Sequence, residues 1–472
     1  MDNRNDIWRR VDEIKPRFID LSDRIWGMPE INYTEVRSMA EHAAELRHQG
    51  FRVTEGGAGI PTAVVGEAGE GGPLIAFLGE FDALPELSQE AGVAEHRPVA
   101  AGGPGHGCGH NLLGSAALLA ATAVKDWLAE NKIPGRVRYY GCPAEEGGAA
   151  KTFMVRAGLF ADADIAISWH PGWFWEVIPA NALAMTLIDF SFTGRAAHAA
   201  ASPHLGRSAL DAVELMNIGV NYMREHMPSD ARVHYATVDA GGIAPNVVQA
   251  AARVRYCVRA RDLDGMFELL GRVRKIADGA ALMSETTVSS RVLSGMSNLL
   301  ANTPLELALQ AIMEDLGPPA FDEEDLAFAR AMQKAFPDGD IDAAFYSIGV
   351  PRQASPLADF TVPRETKRNP MTGSTDVGDV SWVVPTVQAL APNFAIGTPF
   401  HAWQMVAQGK SPAAHKGMVQ VAKAMAALGI KALKEPELVA AAKADFAARI
   451  RHSPYVCPIP DDVLPPIGKG MG

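Results

Sequence analysis

The periodicity of the chain changes once and then changes back, and this interruption limits the folds open to it. In the first part strands alternate with helices. "PLIAFLGEFDALP" opens with an apolar strand, "NLLGSAALLAATAVKDWLAE" has helical spacing, and "GRVRYYGCP" and "ADIAISWHP" are two further strands. Strands separated by helices predict a mostly parallel sheet with helices on both faces. From about Leu183 the pattern becomes a strand "LAMTLIDFSFTG", a helix "GRSALDAVELMNIGVNYMREHM", strands "ARVHYATVDAGG" and "AAARVRYCVRA", a helix "MFELLGRVRKIADGAALMSE" and a strand "TTVSSRVLSG". The order β-α-β-β-α-β predicts a ferredoxin-like α+β unit that closes on itself. After about residue 300 helical signals return. The stretch "MQKAFPDGDIDAAFYSIGVPRQASPLADFTVPRETKRNP" reads as a long loop or lid edge. The expected class is therefore α/β, with a larger discontinuous domain at 1–183 and 300–472 interrupted by a smaller one at 184–299. A chain of 472 residues with 48% hydrophobic content has the length and the apolar material for two cores.

Charge and composition remove several function classes. The net charge of -12, without a Lys/Arg cluster, offers no footprint for nucleic acid or for an anionic membrane surface. The longest apolar run, "LLGSAALLAATAV", stops at Lys125 and predicts a buried helix rather than a membrane span. The charged start "MDNRNDIWRRVDEIKPRF" lacks the apolar segment of a secretory signal, so a cytoplasmic location is expected. Four scattered cysteines do not form a disulfide framework.

The chemistry concentrates where parallel sheets bind ligands, beyond the carboxyl ends of strands. Glu80 and Asp82 follow one strand, Glu145 and Glu146 another, and His170 a third. The glycine-rich loop "GPGHGCGHNLLG" adds Cys108 and His110, a thiol and an imidazole that can point at one centre. Taken alone, that loop also allows a Cys-His nucleophile pair or an incidental turn. "CPAEEGG" lets one carboxylate bind a cation while its neighbour accepts a proton, although a helix N-terminus favours Glu for ordinary reasons. With His170 and with His401 from "GTPFHAWQ", the set offers enough N, O and S ligands for two divalent ions.

In chain order, "GHGCGHNLLG", "YGCPAEEGGAAKTFMV", "WHP", "AAHAAASPHLGRSALDA", "GGIAPNVVQ", "STDVGDVSW" and "GTPFHAWQ" span nearly the whole sequence. This series resembles the M20 metallopeptidase and aminoacylase family, in particular the amidohydrolase branch that hydrolyses p-aminobenzoyl-glutamate and auxin conjugates. The resemblance implies that Cys108, His110, Glu146, His170 and His401 ligate two divalent metal ions, zinc or manganese, with Glu145 as general base. It implies that Asp82 orients a ligand and that the smaller domain is a dimerisation lid. From that lid, His198 would reach a partner's site and polarise the scissile carbonyl, and Asn246 would hold the substrate or its oxyanion.

The implied activity is metal-dependent hydrolysis of the amide in N-acyl or N-aroyl amino acids, foremost p-aminobenzoyl-glutamate-like substrates, with auxin conjugates or other N-acyl amino acids as alternatives. Arg207 is a candidate partner for a substrate carboxylate, and Trp169, Trp173, Phe174 and Trp175 are candidates for an aromatic pocket. The implied partners are a small-molecule amide and a second copy of the chain, or a paralogous subunit. A non-catalytic subunit of a heteromeric hydrolase and a Cys108 thiol hydrolase are the rival classes. Three departures from the family pattern stand out. Asn111 replaces a frequent Asp, His401 is followed by Ala-Trp, which leaves His415 as a rival last ligand, and Glu80 sits where distant relatives carry a histidine ligand.

Overall fold

A computed structural model describes residues 3–368 and 373–468. Among the described residues, eleven strands form two sheets: β1 (Arg52–Glu55), β2 (Val64–Glu70), β3 (Leu74–Glu80), β4 (Gly135–Cys142), β5 (Ile165–Gly172), β6 (Glu176–Val177), β7 (Ala184–Thr193), β8 (Arg232–Asp239), β9 (Ala251–Ala260), β10 (Thr287–Met296) and β11 (Thr386–Pro392). The large sheet has the order β1-β2-β4-β3-β5-β11-β6. Its centre, β4-β3-β5-β11, is parallel, as the alternation of strands and helices predicts. The edges are antiparallel through β1, β2 and β6, three strands that the periodicity of the sequence does not announce.

Strand β3 is buried throughout because both of its faces are covered. Phe77 faces the core formed with helices Asn3–Trp26, His110–Asn131 and Pro412–Lys434. Ala76 and Leu78 face the opposite core, beside Phe153 and Val380 of helices Ala150–Arg156 and Val377–Ser381. Helix His110–Asn131 is long and apolar enough to cross a membrane, but most of it is buried inside the protein, as befits a core helix.

The small sheet is wholly antiparallel in the order β10-β7-β9-β8. With helices Ala209–Met223 and Leu263–Ser284 packed on one face through Val213, Met216, Leu270 and Val273, it has the expected ferredoxin-like layout. Both helices start with a side-chain cap, Ser208 accepting from the Asp211 N–H and Asp262 from the Gly265 N–H.

The stretch read as a long loop contains a helix, Asp338–Ile348. Its spacing of Ile341, Ala344, Phe345 and Ile348 buries one face against Phe174 and Val362. The "FPDGD" start looks like a turn, yet Pro337 precedes a first turn with Asp338 and Asp340, which favour a helix N-terminus. Residues 369 and 370, the last of that stretch, lie outside the described residues.

Candidate active site

Four parallel strands end on the same side of the large sheet and aim their following residues at one place. Glu80 closes β3, Cys142 leads into Glu145 and Glu146, His170 lies near the end of β5, and the chain after β11 delivers His401. The glycine loop before helix His110–Asn131 adds Cys108 and His110. Among the described residues, three groups bring potential ligand atoms within 4.8 Å of one another: Cys108, His110 and His170; Cys108, Glu146 and His401; Glu80, His110 and Glu145. Cys108 and His110 each belong to two groups, so the three merge into one cluster.

The contacts inside it are short. Cys108 Sγ lies 3.4 Å from His170 Nε2, and His401 Nε2 lies 3.3 Å from Glu146 Oε1. His110 Nδ1 is 2.9 Å from Asp82 Oδ1, while its Nε2 is 3.3 Å from Glu80 Oε2. The other Asp82 oxygen accepts the Glu146 N–H at 2.9 Å, so one buried carboxylate ties the imidazole to the Glu145–Glu146 turn. That turn is no ordinary helix start. Ala144 (φ 52°) and Ala149 (φ 54°) bracket it in the left-handed region, and Glu146 and Gly147 leave helical geometry. His401 has φ 56° as well. Strained non-glycine residues that the surrounding structure holds in place are characteristic of functional sites.

The charges reinforce this pattern. Burial, helped by Glu80 and Glu146, pushes the Glu145 carboxyl well above its ordinary value. Burial opposes charge on Glu146 too, but His401 and His110 hold it below the usual range. Burial by itself would lower the His110 pKa; Cys108 and Asp82 override it and hold it well above, a field that favours positive charge at this imidazole. Glu80 Oε2, His110 Nε2 and Glu146 Oε1 are buried without a hydrogen-bond partner. Such atoms are costly unless something satisfies them, and a thiol, imidazoles and carboxylates at this spacing suit divalent cations.

Residues outside the sequence-based set frame the cluster. Lys151 is fully buried and its ammonium lies 2.6 Å from both Glu80 Oε1 and Asp376 Oδ1. Burial disfavours that charge, yet Asp376 and Glu80 hold Lys151 well above the usual lysine value. Glu35 accepts the Ala144 N–H at 3.0 Å, and the Tyr33 hydroxyl donates to the Gly148 carbonyl at 2.6 Å. In sequence the only signal for Lys151 is a lysine among apolar residues just after "EEGGAA".

Other expected residues lie elsewhere. His415 is 2.9 Å from Asp23, at the start of helix Pro412–Lys434, whereas His401 stands at Glu146. His198 and Asn246 are neighbours in the small-sheet region, joined by the Ala199 N–H to Asn246 carbonyl bond and a bridge from His198 to Val247. Both are exposed. Arg207 is paired with Glu285 at 2.7 Å. Among the described residues no hydrogen bond or ion pair links these three to the cluster. Trp169, Phe174 and Trp175 pack in the core, which removes three of the four rings offered for an aromatic pocket.

The fold and the donor set define the chain's class: a hydrolase built on a parallel-strand sheet with its polar cluster at the strand ends. More narrowly, the chain belongs to peptidase family M20/M25/M40, whose sequence profile matches residues 76–450. It is 44% identical to one of the subunits of Escherichia coli p-aminobenzoyl-glutamate hydrolase, across 98% of this chain and 99% of that one. It is 27% identical to the mouse Xaa-Arg dipeptidase, across 94% and 92%. A Bacillus subtilis structure described as a dinuclear metal binding peptidase from the M20 family shares the fold, with a TM-score of 0.56 and 14% identity over 88% of this chain and 98% of that one.

Proposed function

We propose that the chain hydrolyses the amide bond of N-aroyl and N-acyl amino acids, with p-aminobenzoyl-glutamate-like substrates foremost. The observation that carries this reading is the convergence of Cys108, His110, Glu146, His170 and His401 around buried, unpartnered ligand atoms, with Glu145 at their edge. The near-full-length identity to a chain of the E. coli hydrolase supports the substrate class. Those five residues would hold two divalent cations, zinc or manganese, which when bound supply Lewis acidity to water and to the substrate carbonyl.

The chain's own groups do the rest. Asp82, through the His110 Nδ1 contact, fixes the ring so that Nε2 faces the cluster. Glu145, beside Glu80 and His110 at the edge of the cluster, takes the proton of the attacking water and returns it to the departing amine. His198 and Asn246, side by side and exposed, act on the carbonyl oxygen of a site to which they are not joined within the chain, which fits delivery from a second copy. Arg207 would exchange Glu285 for the carboxylate of the leaving amino acid. On this reading residues 1–183 and 300–472 form the catalytic unit and 184–299 the dimerisation lid, in a homodimer or with a paralogous subunit. Four free cysteines, one of them in the cluster, suit a reducing cytoplasm.

Metal-stripped protein, restored with zinc or manganese separately and assayed against aroyl and acyl amino acids, tests the reading. Turnover that returns only with a divalent ion is expected. Full activity under chelation, or a metal-loaded chain that hydrolyses none of these amides, would overturn it.

A further inference from the structure

Beside the cluster lie two rings that the core covers only in part, Trp173 and Phe400. Trp169 and Trp175 are buried and spend their indole N–H groups on the carbonyls of Leu113 and Met313, and Phe174 packs on Phe345. Trp173 is only half-buried. Its indole N–H donates to the Thr398 carbonyl at 3.0 Å, which pins the ring to the loop that carries His401. The ring of Phe400 lies 5.0 Å from it at 53°, and 6.2 Å from the ring of His170. Phe400 is 39% exposed and directly precedes His401, whose Nε2 meets Glu146.

An exposed phenyl beside an anchored indole, bordering two imidazoles of the cluster, is apolar surface placed next to polar chemistry. It gains by covering. The tilted pair presents edges and faces on which a third ring can settle at ordinary aromatic spacing. In an aroyl amide the ring begins one bond from the carbonyl carbon, so a carbonyl held at the cluster keeps its ring beside the cluster too. An acetyl group held there brings no ring. We propose that Trp173 and Phe400 form the acyl subsite and select aroyl over short aliphatic acyl groups; this inference rests on the amide-hydrolase reading above.

Two substrates that share one leaving group isolate the acyl side: 4-aminobenzoyl-glutamate and N-acetyl-glutamate, each assayed with metal-loaded protein. Phe400→Ala should lower kcat/KM for the aroyl substrate about tenfold and for the acetyl substrate less than about threefold, because only the first loses an aromatic neighbour. Trp173→Ala should shift the ratio the same way, and Phe400→Tyr should largely keep it. A ratio within about twofold of wild type in both alanine variants would overturn the inference. Titration with 4-aminobenzoate alone provides an arm that does not depend on turnover. Should neither amide be cleaved, the hydrolase reading fails by itself, and the subsite stands if Phe400→Ala weakens 4-aminobenzoate binding at least about fivefold and falls if it does not.

Discussion

The end of the large sheet and the loops of the small one make opposite uses of histidine. Around His110 the neighbours are buried and paired: Asp82 sets the ring, and Lys151 is locked between Glu80 and Asp376. His198 is exposed, and its Nδ1 accepts the Ala200 and Ala201 N–H groups 3.2 and 3.1 Å away. The first region holds its donor atoms together in the packed interior, three of them buried without a hydrogen-bond partner. The second is a group on offer, with no chemistry until something approaches it.

That contrast can be broken at several points. On the proposed mechanism Glu145→Gln has the largest expected effect, a loss of roughly 10³-fold in kcat with the metal content unchanged, since it would remove the proton acceptor and spare the proposed ligands. Retained turnover would move the base elsewhere in the cluster. Lys151→Met leaves Glu80 and Asp376 buried without their countercharge, and urea unfolding should show a loss of about 3–5 kcal/mol. Unchanged stability would mean that the buried triad does not matter to the fold. His198→Ala should reduce kcat by about 10²-fold while leaving metal content and melting temperature alone, the signature of a residue outside the proposed ligand set. A coupled loss of metal would place it inside.

The effect that is smallest at neutral pH concerns a buried histidine behind the sheet. His42, stacked on Phe81 and Tyr139, has its pKa lowered by burial from 6.5 to about 3. Below pH 6.5 the unfolded chain takes up a proton that the folded chain refuses, so stability present above 6.5 is lost as pH falls towards 3, by about 1.4 kcal/mol per unit. Melting of the metal-free chain between pH 4 and 7 should therefore have a shallower acid limb in His42→Gln. Identical limbs would contradict the buried-neutral assignment.

The same division explains what could be read from the sequence. The convergence of Glu146 and His170 is legible because a parallel sheet brings the residues at the ends of its strands together, whereas Cys108 is legible from its glycine-rich loop beside His110. The parallel centre and the ferredoxin-like unit follow from periodicity alone. Lys151 and Asp376 were not legible, because their pairing spans 225 residues and exists only in the packed interior. The rings around His170 could not be sorted for the same reason: the choice between core and surface depends on Phe345 and Met313, far along the chain. Helix Asp338–Ile348 was concealed by its Pro-Asp-Gly start, although its apolar spacing was there to be counted.

Anomalous diffraction from crystals grown with zinc or with manganese tests the central claim most directly. The account predicts two cation peaks within the cluster, bonded among them to Cys108, His110, Glu146, His170 and His401. A cluster that binds no cation, or cations held by a different set of residues, would contradict it.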